Sequence, residues 1–326
     1  MLPGPHDQPQ STRSIQVIVG IGPRPKPDTF TFVDADPLDH TRRFVSTLST
    51  SYHRYKLRTF TADLDSPDDK PAYLALRHTL GELLEVTAAT AVAAIQAPVA
   101  LPVWLIRYQN RHLDSCVDAL LADQALPSAD AAGGPQERTY SYLIEEMSAG
   151  HPELRDALDA AGRHIFTSYR DKPMRDEYNA LKHGNRVNTA PFQCQTQLAD
   201  MDWQRTLIFE QLHEIQTQGL TGYVLQWRIH PVELVSLYAQ IDLCLRWLDV
   251  LHWALRWLHD VDTVTPHPGF PSLDNVTSVW DSRDWSMVIT QQVTSGGRVL
   301  DDGHRTNSAP LHAEQSLPSG ITRRST

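Results

Sequence analysis

Between Leu234 and Leu258 apolar residues return every seven positions in two interleaved series. One is Leu234, Ile241, Leu248 and Leu255; the other is Leu237, Cys244, Leu251 and Leu258. Apolar residues alternating at three- and four-residue spacings keep one stripe of an α-helix facing one neighbour, so this pattern specifies a long helix with a continuous apolar seam. Trp247, Trp253 and Trp257, with Leu243 and Val250, widen that surface until only a narrow strip can face water. The expected fold is therefore mainly α, a helical bundle with this helix either at its centre or forming a homodimer through Leu234–Leu258. His252 and His259 also stand seven apart, but no Cys or carboxylate lies at ligand spacing from them, and no metal is expected.

Composition narrows the class further. The chain has 326 residues, 41% of them hydrophobic, enough for two or three domains without disulfide or metal staples. Its 39 acidic against 29 basic residues give a net charge of −10, which argues against wholesale coating of nucleic acid. Cys116, Cys194 and Cys244 are odd in number and widely spaced, which excludes a zinc ribbon and suits a reducing compartment. The start, MLPGPHDQPQSTRS, has no secretory pattern, and a cytoplasmic location is expected. Val86 to Ile106 is uncharged and about as long as a membrane span. Gln96, Pro98 and Pro102 would fall near its middle, where an amide and two helix breakers are costly, so two buried helices joined by a turn are expected and no membrane partner.

Along the chain, residues 1–68 read as an arm with a strand pair at Ile15–Ile21 and Thr29–Val33 around a Gly/Pro-rich connector. A bundle domain over 69–262 opens at Asp69-Lys70-Pro71, with Tyr73, Leu76, Leu80, Leu83 and Leu84 on one helical face. A second helix is expected from about Val103 to Leu126, then a linker over Pro127–Pro135. Tyr140–Met147 and a helix opened by His151-Pro152-Glu153 follow; in the latter Leu154, Leu158, Ala161, Ile165 and Tyr169 form a buried stripe. Residues 187–201 read as a connection. Thr206–Gln211 and Tyr223–Ile229 read as a hairpin within 205–229, although Arg205–Gln218 also fits a helix. Beyond 262 a β-like extension over 263–300 is expected to pair Val276–Trp280 with Met287–Val293, and 301–326 should be a disordered tail. The β parts are a minor α+β component flanking the helices.

One short helix carries the candidate chemistry. It opens at Asp171-Lys172-Pro173, where Asp can cap and Pro is tolerated, and Gly184 stops it. Met174, Tyr178 and Leu181 form one stripe; Arg175, Asn179 and His183 form another, flanked by Lys182 and Arg186. A cation, an amide and an imidazole on adjacent turns suit a phosphate ligand. The same stripe is equally a solvated helix face ending in a histidine cap.

The run Tyr178-Asn179-Ala180-Leu181-Lys182-His183-Gly184 resembles the signature helix of the HEPN superfamily. That resemblance implies a HEPN-like bundle of four or five helices, RNA or nucleotide as ligand, and metal-independent ribonuclease chemistry without a cofactor. It also implies a dimer that brings two motifs together. Asn179 and His183 match the family's polar position and its histidine; Tyr178 stands where the family has Arg. On this likeness His183 would act as general acid or base toward a ribose hydroxyl, Asn179 would orient it, and Arg175 or Arg186 would offset charge on the phosphate. Lys182, Arg186 and Tyr178 would line the ligand. The competing reading is a non-enzymatic helical interaction or scaffold protein in which the motif is structural.

Overall fold

The computed structural model describes residues 13–19, 28–34, 36–62, 70–129, 135–182, 187–189, 192–195, 200–203, 206–217, 220–231, 234–261, 264–280, 287–293, 299–307 and 315–316. Over these the fold is mainly α. The chain divides into two compact units: Met1–Tyr55, Gly81–Asp171 and Ile241–Ser278 form the first, and Lys56–Leu80, Lys172–Gln240 and Val279–Thr326 the second.

At the start, strands β1 (Arg13–Val19) and β2 (Asp28–Asp34) pair antiparallel, as the β-branched runs predict. The rest of the expected β arm is helical, in α1 (Pro37–Thr47) and α2 (Ser51–Ala62). The signal for α1 is local: the Asp36 side chain accepts the Asp39 N–H at 3.0 Å and Pro37 occupies the first turn.

Helix α3 (Lys70–Gln96) begins at the Lys70-Pro71 signal. Its end explains the apolar stretch. The chain turns at 97–100, where the Ala100 N–H reaches the Ala97 carbonyl at 3.0 Å, and restarts as α4 (Leu101–Arg107) with Pro102 in its first turn. Leu101 and Trp104 are fully buried, and the Trp104 indole donates to Gln96 Oε1 at 3.0 Å, which gives the buried amide oxygen a donor. Among the described residues no helix is long and apolar enough to cross a membrane.

The single helix expected over 103–126 is broken. Helix α5 (Asn110–Leu121) starts only after Gln109, which is extended and whose carbonyl receives the His112 and Leu113 amides. The break lets Tyr108 stack on Trp104, rings 5.3 Å apart, and donate to Glu85 on α3 at 3.3 Å. The two ends of the segment expected as a linker lie in a small antiparallel pair, β3 (Leu126–Ala129) with β4 (Pro135–Arg138).

Helix α6 (Tyr140–Met147) and helix α7 (Arg155–Arg170), the latter led in by a 3-10 turn at Pro152–Leu154, match expectation. α7 packs on α5 and α6. Leu158, Ala161, Ile165 and Tyr169 are buried, and Leu154 is half-buried. α8 (Lys172–Lys182) follows.

The segment expected as a connection is instead three short strands. β5 is Val187–Thr189; β6 (Phe192–Gln195) and β7 (Asp200–Trp203) form an antiparallel pair. The hairpin reading of 205–229 is right and too short: β8 (Thr206–Thr217) pairs with β9 (Leu220–Pro231) from Thr206↔Pro231 to Thr217↔Leu220. The polar HEIQTQGLTG therefore belongs largely to the strands.

Helix α9 (Leu234–Leu258) is the heptad helix. Leu237, Ile241, Cys244, Leu248, Leu251 and Leu255 are all buried, so the seam that a homodimer through Leu234–Leu258 would use is occupied by the chain's own side chains. In the first unit Trp247 donates to the Leu158 carbonyl at 3.0 Å and meets Phe166 edge-on, and Arg54 pairs with Asp249 at 2.5 Å. Its apolar exposure lies toward the ends, at Val235, Tyr238, Trp257 and Leu258.

Residues 276–280, expected as a strand, fall instead in helix α10 (Leu273–Trp280). The Ser272 carbonyl receives the Val276 amide at 3.0 Å, Asp274 favours the first turn, and Val276 is fully buried, so packing overrides β propensity. β10 (Met287–Val293) instead lies between β9 and β11 (Val299–Asn307), and β12 (Gln315–Ser316) adds to β11. With β8 and β5 these make a six-stranded sheet in the second unit. The expectation of a tail without structure beyond 300 fails for β11 and β12, where backbone ladder bonds supply pairing that side chains do not announce.

Candidate functional site

The candidate helix α8 is held by a feature that side-chain patterning hides. Its most buried residues are Glu177, 1% exposed, and Ala180. Met174, Tyr178 and Leu181, expected as the packing stripe, are each only half-buried. The inward face is thus rotated toward a carboxylate. Glu177 meets Arg77 of α3: the guanidinium donates from Nε to Oε1 in a short contact and from Nη2 to Oε2 at 3.2 Å, and Nη2 also lies 3.1 Å from Met174 Sδ. Both side chains are withdrawn from water, 10% and 2% exposed. A bidentate guanidinium–carboxylate pair has the geometry and partner count that burial of two charges requires.

With Glu177 neutralised inward, the outer side of α8 shows other groups. Asn179 and Lys182 are exposed, and Arg175 is half-buried one turn before Asn179. Lys172 pairs with Asp176 at 2.5 Å across one helical turn. The Tyr178 ring lies 5.4 Å from the His78 ring, tilted by 48°, and 5.6 Å from Lys182 Nζ on its face. Arg175, Tyr178, Asn179 and Lys182 therefore share one short helix, with Tyr178 engaged by neighbours on both α3 and α8. His183 and Arg186 lie outside the described residues.

This arrangement can offer an ammonium and an amide to an anionic ligand, with Tyr178 as a ring beside them. Among the described residues no group of three His, Cys, Asp or Glu side chains could hold a metal ion. His252 and His259 on or just after α9 are 5% and 4% exposed. Burial pushes His252 down to about 4, with Asp249 opposing and Arg256 adding to the shift, and it also lowers His259. Both are neutral packing residues at pH 7. The free thiols Cys116 and Cys244 are buried, and burial pushes Cys244 up to about 12, so it is inert as a nucleophile.

Sequence reasoning missed Arg77 and Glu177. The only trace is positional: Arg77 directly follows Leu76 in the apolar stripe of α3, and Glu177 sits three residues before Ala180. Nothing local pairs residues that stand 100 positions apart. No protein-family model, curated protein or solved structure matches this chain.

Proposed function

We propose that α8 is an anion-binding surface for RNA or a nucleotide, in a HEPN-like helical module. The observation that carries this is that its own buried carboxylate is neutralised by Arg77 while Lys182 and Asn179 stand exposed on its outer side. A phosphodiester would meet Lys182 as a point charge, Asn179 as a hydrogen-bond donor and Arg175 one turn away. His183, in the next position, would supply acid–base chemistry near neutral pH, making the module a metal-independent ribonuclease. A cytoplasmic setting agrees with three cysteines too widely spaced in sequence to suggest a disulfide framework. A homodimer would have to use the exposed ends of α9, since its seam is filled.

The test is binding and cleavage of a fluorescent single-stranded RNA by the full chain in the presence of a chelator. Lys182→Ala should weaken binding and lower the salt slope by about one counterion. His183→Ala should abolish cleavage without lowering Tm. Absence of binding at low salt in the wild type overturns the reading.

A specific observation favours the second reading, a non-enzymatic interaction protein. Tyr178 occupies the position where the family has Arg, and its ring is engaged by His78 and Lys182. A phenol is neutral near pH 7 and cannot replace a guanidinium at a phosphate. RNA binding without cleavage, unaffected by His183→Ala, would select it.

A further inference from the structure

The connector between α9 and α10 is fastened by a histidine whose two ring nitrogens are both engaged. His267 Nε2 lies 3.1 Å from the Met147 carbonyl at the end of α6, and the Gly269 amide donates to Nδ1 at 3.0 Å. A carbonyl can only accept and an amide N–H can only donate, so the proton sits on Nε2 and Nδ1 is bare. Gly269 has a φ of +75°, a turn that glycine adopts without strain, and its bond to Nδ1 closes that turn. Two rings flank His267. The His151 centroid is 4.6 Å away at 44°, and Trp253 of α9 is 4.6 Å away at 66°. Trp253 also donates to the Thr265 carbonyl at 3.0 Å, fastening the connector a second time.

We propose that His267 and His151 form a proton-operated latch, which holds the connector over residues 264–272 against the end of α6 at neutral pH and releases it on acidification. The second proton of His267 can go only to Nδ1. There it would face the Gly269 N–H, donor against donor, and the turn would lose its closing bond. The new charge would also stand beside the His151 ring, whose Nδ1 lies 3.3 Å from Glu153 Oε1. Glu153 opposes this by attracting a proton on His267, but it is exposed and screened. Trp253, the remaining ring, has no charge, and Met147 contributes only its carbonyl.

Burial lowers the proton affinity of His267; the Met147 carbonyl opposes this, His151 adds to it and Glu153 again opposes. The folded value thus lies below the unfolded one. The contact's contribution is complete above about pH 6.5 and is lost as pH falls through the depressed value.

The experiment is hydrogen exchange of the full chain at about pH 7.5 and about pH 5, corrected for intrinsic rates, together with NMR titration of the histidine rings. At the higher pH His267 should be the Nε2–H tautomer. Protection of the Gly269 amide should fall severalfold at the lower pH, because the doubly protonated ring can no longer accept its bond. His267→Gln should exchange rapidly at both pH values. His151→Asn should move the His267 titration upward, since a like charge is removed. Equal protection of the wild type at both pH values, an Nδ1–H tautomer, or acid-dependent release that survives in His267→Gln would each overturn the latch.

Discussion

Glu177→Ala should be among the most damaging single changes in the second unit, and the reason is the charge it leaves behind. Arg77 is 10% exposed and its guanidinium is aimed at Glu177 with both Nε and Nη2. Removing the carboxylate takes the bidentate partner from a desolvated cation, and Met174 Sδ at 3.1 Å is too weak an acceptor to replace it. Breaking a buried pair in this way costs about 3–5 kcal/mol, a large share of the roughly 5–15 kcal/mol that holds a domain folded. Glu177→Gln keeps the shape and one acceptor and should cost less, about 1–3 kcal/mol. The double change Arg77→Met with Glu177→Met removes both charges and fills similar volume, so it should recover most of the loss. Urea unfolding followed by far-UV circular dichroism gives the three values. Exchange of amides in α8 supplies the local readout, because Glu177 and Ala180 are its buried contacts. A Glu177→Ala variant within about 0.5 kcal/mol of wild type, or a double variant no more stable than Glu177→Ala, would refute the coupling.

Three further outcomes follow from the first unit. A Cβ at Gly162 would collide with Tyr140 Oη and lie 3.1 Å from Trp247 Nε1, so Gly162→Ala should destabilise by about 1–3 kcal/mol despite alanine's better helix propensity. Thermal denaturation should show partial recovery when Tyr140→Phe is added, and a more stable Gly162→Ala would contradict the packing. Leu248 is 2% exposed, so Leu248→Asp should unfold the chain rather than yield a folded monomer; a native circular dichroism spectrum would contradict this. His252, pushed down to about 4 from 6.5, should contribute stability that is complete above about pH 6.5 and lost as pH falls through about 4, amounting to about 3 kcal/mol. Calorimetry across that window should find a flatter pH dependence in His252→Leu; an unchanged slope would assign the acid sensitivity elsewhere.

Local rules carried this sequence wherever a signal and its consequence lie within a few residues. The seven-residue spacing specified α9, Pro71 and Pro173 marked the starts of α3 and α8, and the stripe through Leu158, Ala161 and Ile165 marked the face that α7 buries. The same logic placed a turn in the apolar run at 97–100, since two prolines and a glutamine forbid a continuous span. Tertiary structure decided what depends on a distant partner. Burial of Trp247 beside the α9 seam depends on Phe166 and Leu158, which meet it from far along the sequence. Burial of Val276 turned a β-prone segment into α10, and backbone pairing drew 299–307 into a sheet without apolar patterning. The candidate helix shows both cases at once. Its Arg175 and Asn179 are legible as one stripe from their spacing, with Lys182 flanking it. Its orientation is set by Glu177 and Arg77, because a buried charge is stable only opposite its counter-charge, and that counter-charge lies on another helix.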